Sequence, residues 1–183
     1  MSTETLNQQI PTGTWTVDPV HSAIHFAITH NRIATFRSRF TGFEATLSGG
    51  ESPQLEGSVD VSSIDIDEPQ LKGHLLSPDF FDAERHPALK FRSTELTVED
   101  DGAVRLAGEL EVLGKSHPIS AGGRFGTIGA DLGGGERIGL SFETAIDRRD
   151  LGLSWNAELP NGGNVLEYEV GINVELELVQ AEA

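Results

Sequence analysis

The chain has 183 residues, of which 37% are hydrophobic, and it carries a formal net charge of −16. This length and hydrophobic content are typical of one folded domain. A surface this acidic repels phosphate backbones and anionic headgroups, so we expect no nucleic-acid partner. Cysteine is absent, which excludes disulfides, cysteine zinc sites and thiol catalysis.

The first residues predict a flexible N-terminal arm, residues 1–12, followed by a single domain over residues 13–181. The arm has no apolar run after a basic patch, so no signal peptide is visible. No stretch of the chain approaches the roughly 20 apolar residues of a membrane span. We therefore expect a cytoplasmic protein without stable membrane insertion.

Alternation of apolar and polar residues predicts strands through the first third of the chain. The segment that follows differs, because residues 68–74 favour a short helix and Pro78 ends any helix. Phe80 and Phe81 are adjacent and cannot both face one side of a plain strand. We interpret residues 68–87 as a long connection, helical near residues 68–82, that plugs or covers the barrel formed by the predicted strands. The strands predicted before it are residues 15–18, 24–28, 36–47 and 55–63.

The later segments predict further strands, of which the last is the clearest. From Leu166 to Leu178 every second residue is apolar over at least 13 residues, roughly 44 Å of strand. Strands usually have about five or six residues, so this length is typical of a barrel. Near residue 88 the apolar parity shifts along the strand, which indicates a β-bulge. The other strands predicted here are residues 104–112, 117–125 and 138–146, giving eight or nine antiparallel strands.

Six histidines are the main candidates for polar chemistry. On a strand, His21 and His25 would stand about 13 Å apart, too far to share one metal. His30 has the parity of Ile28, so it either contacts a ligand head group or packs against a carbonyl or Tyr168. No nucleophile or phosphate-loop motif is present. We therefore predict no catalytic residue, no metal ligand and no cofactor.

The inner faces mix large apolar residues with small ones such as Ala27, Gly108 and Thr144. A small barrel is either filled by its own side chains or leaves room for one ligand. A narrow apolar tube between these faces would suit an elongated hydrocarbon.

Four blocks of the chain resemble the YceI-like family of polyisoprenoid-binding proteins. They are WTVDPVHS at residues 15–22, HLLSPDFFD at residues 74–82, GEL with GKSHPI within residues 108–119, and DRRDLG at residues 147–152. The resemblance covers about residues 13–179. It implies an all-β, antiparallel, eight-stranded lipocalin-like barrel that holds an isoprenoid chain with its head group near the mouth.

The chain departs from the family pattern at three points. Lys72 and Gly73 stand where Arg-Asp is common, and Leu151 stands where an aromatic residue is usual. Many relatives also carry a periplasmic signal, and none is visible in this sequence.

The resemblance and the patterning together predict a non-enzymatic protein with a long-chain isoprenoid lipid as its partner. It would carry or sequester a polyisoprenoid or an isoprenoid quinone inside the barrel, the bound lipid being a ligand and not a cofactor. We expect ligand contacts from Phe26, Ile28, His30, Phe80, Phe81, Leu106, Leu110, Leu140, Phe142, Tyr168, Val170, Ile172 and Val174.

Two other functions are open at this point. A solid barrel would act as a stress-response or protein-interaction module without lipid, and pairing of exposed strands would make it a homodimer. A small hydrolytic enzyme would use His30, His74 or Asp79 near the mouth.

Overall fold

The computed structural model describes residues 9–182, and antiparallel strands dominate this part of the chain. One α-helix, α1 (Pro69–Leu76), and two 3-10 turns (Val61–Ser63 and Arg148–Leu151) join them. No helix in this range is long and apolar enough to cross a membrane. The strands are β1 (Thr14–Val17), β2 (Ala23–His30), β3 (Ala34–Phe40), β4 (Phe43–Ser48), β5 (Gln54–Asp60), β6 (Ala88–Val98), β7 (Ala103–Val112), β8 (Lys115–Ala130), β9 (Glu136–Asp147) and β10 (Leu166–Gln180).

The sheet closes on itself through β1, which pairs with β4 on one side and with β10 on the other. The closed ring runs β1-β4-β5-β6-β7-β8-β9-β10, and every pairing is antiparallel. This confirms the predicted eight-stranded lipocalin-like barrel with its short helical connection. β2 continues the path of β1 past a break, and β3 leads into β4 across a second break. β2 and β3 pair with each other.

The strand predicted over residues 36–47 is wrong in one respect, because the structure divides it into β3 and β4. The break falls at Thr41 and Gly42, where the backbone N–H of Thr41 donates to the carbonyl of Ser63. A Cβ on Gly42 would lie 3.0 Å from the Cβ of Ser63, so a larger residue would crowd this crossing. The 3-10 turn that follows β5 therefore takes the place of a neighbouring strand here.

Two further strand predictions are confirmed. β10 is a single strand of 15 residues, paired with β9 along most of its length. β6 carries the expected bulge between Ser93 and Glu95. The hydroxyl of Ser93 is buried there and accepts the backbone N–H of Leu55 at 2.8 Å, so the bulge ties β6 to β5.

One end of the barrel, here called the base, is solid. Trp15, Leu47 and Leu178 are completely buried there. Ile10 is only 2% exposed and packs into the same cluster, and its carbonyl accepts the N–H of Gly50. Residues 1–8 of the predicted arm lie outside the described residues, whereas residues 9–12 differ from a loose arm because Ile10 seals the base.

The opposite end, here called the mouth, is covered by the connection over residues 61–87. The helix predicted there is confirmed: Glu68 caps α1 by accepting the backbone N–H groups of Gln70 and Leu71. α1 ends at Leu76, before Pro78. Within the described part of the chain, the second edge of β3 pairs with no strand and makes one isolated bridge, from Phe40 to Ile64 of the connection.

A charged network braces the barrel wall near the base. The guanidinium of Arg137 on β9 contacts Asp131 at 2.6 Å, Asp18 at 2.8 Å and Glu177 at 2.6 Å. These carboxylates raise the pKa of Arg137. Asp18 also contacts Nδ1 of His21 at 2.8 Å, and the hydrogen bonds from His21 and Arg137 hold the pKa of Asp18 well below its usual range. The network links the break after β1 to β9, β10 and the turn between β8 and β9.

We expect Gly123→Ala to destabilise the barrel, because a Cβ there would lie 1.6 Å from the backbone oxygen of Ser141. Overpacking of this kind typically lowers the free energy of unfolding by about 1–3 kcal/mol. Gly126→Ala on the same strand is the control, since a Cβ there has no neighbour within 4 Å among the described residues. Chemical denaturation of both variants checks this, and equal stabilities would contradict it.

The contact with Asp18 raises the pKa of the His21 imidazole, first through their hydrogen bond and then through charge. The contact therefore stabilises the fold fully at pH values below the ordinary pKa of histidine. This stabilisation is lost as the pH rises through the raised pKa of His21. We expect Asp18→Asn to lower the pKa of His21 in an NMR titration. Asp131→Asn, which removes another partner of Arg137, should leave it nearly unchanged; an equal effect of both variants would refute the assignment.

Candidate ligand-binding cavity

Between the solid base and the mouth the barrel encloses a cavity of about 750 Å³. Ligand sites for small molecules usually measure about 300–1,000 Å³, so the space suits one lipid. Along β10 the lining runs from Leu166 to Leu176, which is about 34 Å of strand. The cavity is therefore elongated, as a hydrocarbon chain would require.

The depth of a residue along its strand decides whether it fills the base or lines the cavity. On β9, Ile138 and Leu140 are buried in the solid core, whereas Phe142, Thr144 and Ile146 line the cavity. All five share one face of the strand. The interior is thus filled at the base and open further along. This differs from the solid barrel that the interaction-module alternative requires.

Small residues keep the middle of the barrel open. Ala45, Gly57 and Ala121 line the cavity, and none of these side chains extends beyond a methyl group. Gly108 has another role, because a Cβ there would lie 2.5 Å from the ring of Phe91. The Phe91 ring therefore packs over Gly108 and forms part of the wall.

A cluster of three rings closes the mouth. The ring of His74 on α1 packs edge-on against Trp155 at 4.5 Å and against Phe80 at 5.1 Å, and Phe80 lies 5.3 Å from Trp155. Nε2 of His74 also lies 3.0 Å from Oδ2 of Asp79. These contacts fasten α1, whose Leu71 also lines the cavity, to the loop before β10.

Phe80 and Phe81 both line the cavity, although they are adjacent in sequence. They lie in a tight turn, where the N–H of Phe80 donates to Ser77 and the N–H of Phe81 donates to Leu75. Side chains in a turn need not alternate as they do on a strand. Phe81 packs edge-on against Phe40 at 6.1 Å, which joins the connection to β3.

Arg148 borders the cavity and is 3% exposed. Its Nε donates to the carbonyl of Glu167, and its Nη1 donates to the carbonyls of Leu153 and Trp155. Burial lowers the pKa of this guanidinium, although arginine stays protonated in proteins. Arg148 thus holds the loop that carries Trp155 against the start of β10.

The structure brings most of the predicted contact residues together, and their contact with a ligand stays a prediction. Leu140 lies outside the lining because it is deep in the base, next to Phe125. Tyr168 lies outside it because its ring packs against the guanidinium groups of Arg148 and Arg149, at 4.9 and 4.1 Å. The predicted residues that do line the cavity are Phe26, Ile28, His30, Phe80, Phe81, Leu106, Leu110, Phe142, Val170, Ile172 and Val174.

Other lining residues were not foreseen from the sequence. Phe36 and Phe40 share a parity on β3 that could have identified them. Trp155 lies in an irregular loop and Arg148 in a 3-10 turn, so strand periodicity places neither of them at the cavity.

One group of side chains has the composition of a metal site. Donor atoms of Asp18, His21 and Glu177 lie within 4.8 Å of one another. Arg137 already binds both carboxylates and supplies the positive charge that a metal ion would bring. The arrangement therefore fits a structural ion-pair network better than a metal centre.

Comparison with known proteins agrees with the fold. A UPF0312 protein of Vibrio cholerae is 28% identical over 137 residues, covering 73% of this chain and 72% of that protein. A UPF0312 protein of Vibrio campbellii is 26% identical over 159 residues, covering 85% and 81%.

Two solved structures share the barrel. BcnA of Burkholderia cenocepacia superposes with a TM-score of 0.75 at 18% identity, covering 88% of this chain and 98% of that one. A polyisoprenoid binding domain from Saccharophagus degradans superposes with a TM-score of 0.70 at 14% identity, covering 91% and 98%. The family model of the YceI-like domain matches residues 15–178, and the chain therefore belongs to the YceI-like family.

Proposed function

We propose that this protein binds a long isoprenoid lipid, a polyisoprenoid or an isoprenoid quinone, and carries or sequesters it without catalysing a reaction. The observation that carries the proposal is the elongated, largely apolar cavity of about 750 Å³. The structural neighbour from Saccharophagus degradans, a polyisoprenoid binding domain by name, supports the same ligand class.

Apolar burial is sufficient to hold such a ligand. Each CH₂ group removed from water contributes about 0.8 kcal/mol, so ten buried groups contribute about 8 kcal/mol before the cost of immobilising the chain. The lining from Phe26, Phe142 and Ile172 offers apolar contact along the tube. Binding therefore does not require a charged contact.

The side chains at the mouth support a binding role more than a hydrolytic one. The imidazole of His74 is packed between Trp155 and Phe80 and contacts Asp79. These contacts hold α1 over the cavity, which is a structural use of the histidine. The cavity itself speaks against an interaction module built on a solid barrel.

Native mass spectrometry of the purified protein, followed by organic extraction, tests the proposal directly. We expect a bound prenyl species at about one per chain. The proposed function would be refuted if the purified protein contained no lipid and also failed to bind added quinones and prenyl phosphates.

We expect Ala121→Trp to weaken lipid binding by tenfold or more. The indole would fill part of the cavity that Ala121 borders, and excluding two CH₂ groups already removes about 1.6 kcal/mol. Ser120→Trp is the matched control, because the neighbouring Ser120 is exposed on the outer face of β8. Competition with a fluorescent prenyl probe measures both variants, and circular dichroism verifies that they fold. Equal affinities would place the ligand elsewhere.

A further inference from the structure

The β2–β3 hairpin differs in charge from the rest of the molecule. Residues 19–43 contain no aspartate or glutamate, although the chain has 29 acidic residues. The same segment holds three arginines and three histidines. One arm of a strongly acidic protein is therefore basic.

The turn of this hairpin presents an apolar side chain to solvent. Ile33 is 87% exposed, and a large apolar residue so exposed at a turn has no role in the core. On either side of it, His30 and Ala34 border the cavity. The exposed isoleucine thus stands at the rim of the lipid-sized cavity.

Two of the three arginines of the hairpin are available for an external partner. Arg39 contacts Asp65 at 2.8 Å. Arg32 and Arg37 are exposed, and no carboxylate of the described residues lies within ion-pair distance of them. Two basic groups and one apolar group therefore project from the same hairpin.

We propose that the tip of the β2–β3 hairpin docks on the surface of an anionic lipid bilayer, with Ile33 entering the headgroup region. The role of this contact in loading or releasing lipid rests on the proposed function, whereas the docking itself does not. A long prenyl chain is almost insoluble in water because exposing each of its CH₂ groups to water is unfavourable. Such a ligand must therefore enter and leave the cavity at a membrane.

The net charge of −16 opposes this contact less strongly than an unscreened charge of that size would. The Debye length is about 8 Å at physiological ionic strength, so charges on the far wall and at the base are largely screened from the bilayer. Arginines near an anionic surface each strengthen binding several-fold. The acidic remainder limits the contact to this hairpin and keeps it transient.

Co-sedimentation with vesicles tests the proposal. We expect the full chain to bind vesicles of equal parts phosphatidylcholine and phosphatidylglycerol, more weakly at high salt, and to ignore pure phosphatidylcholine. Ile33→Asp and the double variant Arg32→Glu/Arg37→Glu should each reduce binding by about tenfold or more.

Two controls match these changes. Leu132→Asp alters a leucine in the turn at the base that is at least as exposed as Ile33. Arg92→Glu/Arg105→Glu changes the net charge by the same amount on the barrel wall. Both should bind vesicles like the unmodified protein.

The outcomes separate docking from lipid carriage. Absence of vesicle binding by the unmodified protein, or equal losses in the hairpin and control variants, would overturn the docking proposal. Vesicle binding lost only in the hairpin variants supports docking, even if extraction finds no prenyl lipid. A protein that is empty and also fails to bind added quinones and prenyl phosphates would contradict the proposed function alone.

Discussion

The double pairing of β1 is the constraint on which the rest of the structure depends. This strand has only four residues, yet it pairs with β4 and β10 and so closes the sheet. Trp15 on β1 is completely buried, and its indole nitrogen donates to the carbonyl of Pro11. A closed sheet has no free edge at the base, so the interior there is shielded from water on all sides.

The interior divides because side-chain size changes along the barrel axis. Near the base, Trp15, Leu47 and Leu178 belong to one buried hydrophobic cluster that fills the interior and leaves no room for a ligand. Further along, Ala45 and Ala121 face space that their own side chains do not fill. The solid base anchors the strands, so that the opposite half of the barrel can remain open without collapsing.

The mouth is built from the parts of the chain that are not regular strand. Among the described residues β3 has one strand partner, β2, and the start of the connection, around Ile64, bridges the other edge of β3. His74, Phe80 and Trp155 fasten this connection by ring packing. Ring contacts between loops yield more easily than a hydrogen-bonded strand pair, so this is the side from which an apolar ligand has the least structure to displace.

Much of the architecture was contained in the sequence. The alternation in β10 and the parity shift in β6 depend on neighbours within one element, and local periodicity reports such neighbours. The end of the short helix follows from Pro78, which cannot continue a helix. Periodicity also assigned Leu140 and Phe142 to the same inner face, but it could not tell that one fills the base and the other lines the cavity. That distinction depends on the stagger of strands far apart in sequence. The packing of the Tyr168 ring against Arg148 and Arg149 depends in the same way on how β10 lies beside the turn after β9. The sequence by itself determined which face of each strand is apolar; only the tertiary structure decided where the interior is full and where it is open, because depth along a barrel is a property of all its strands together.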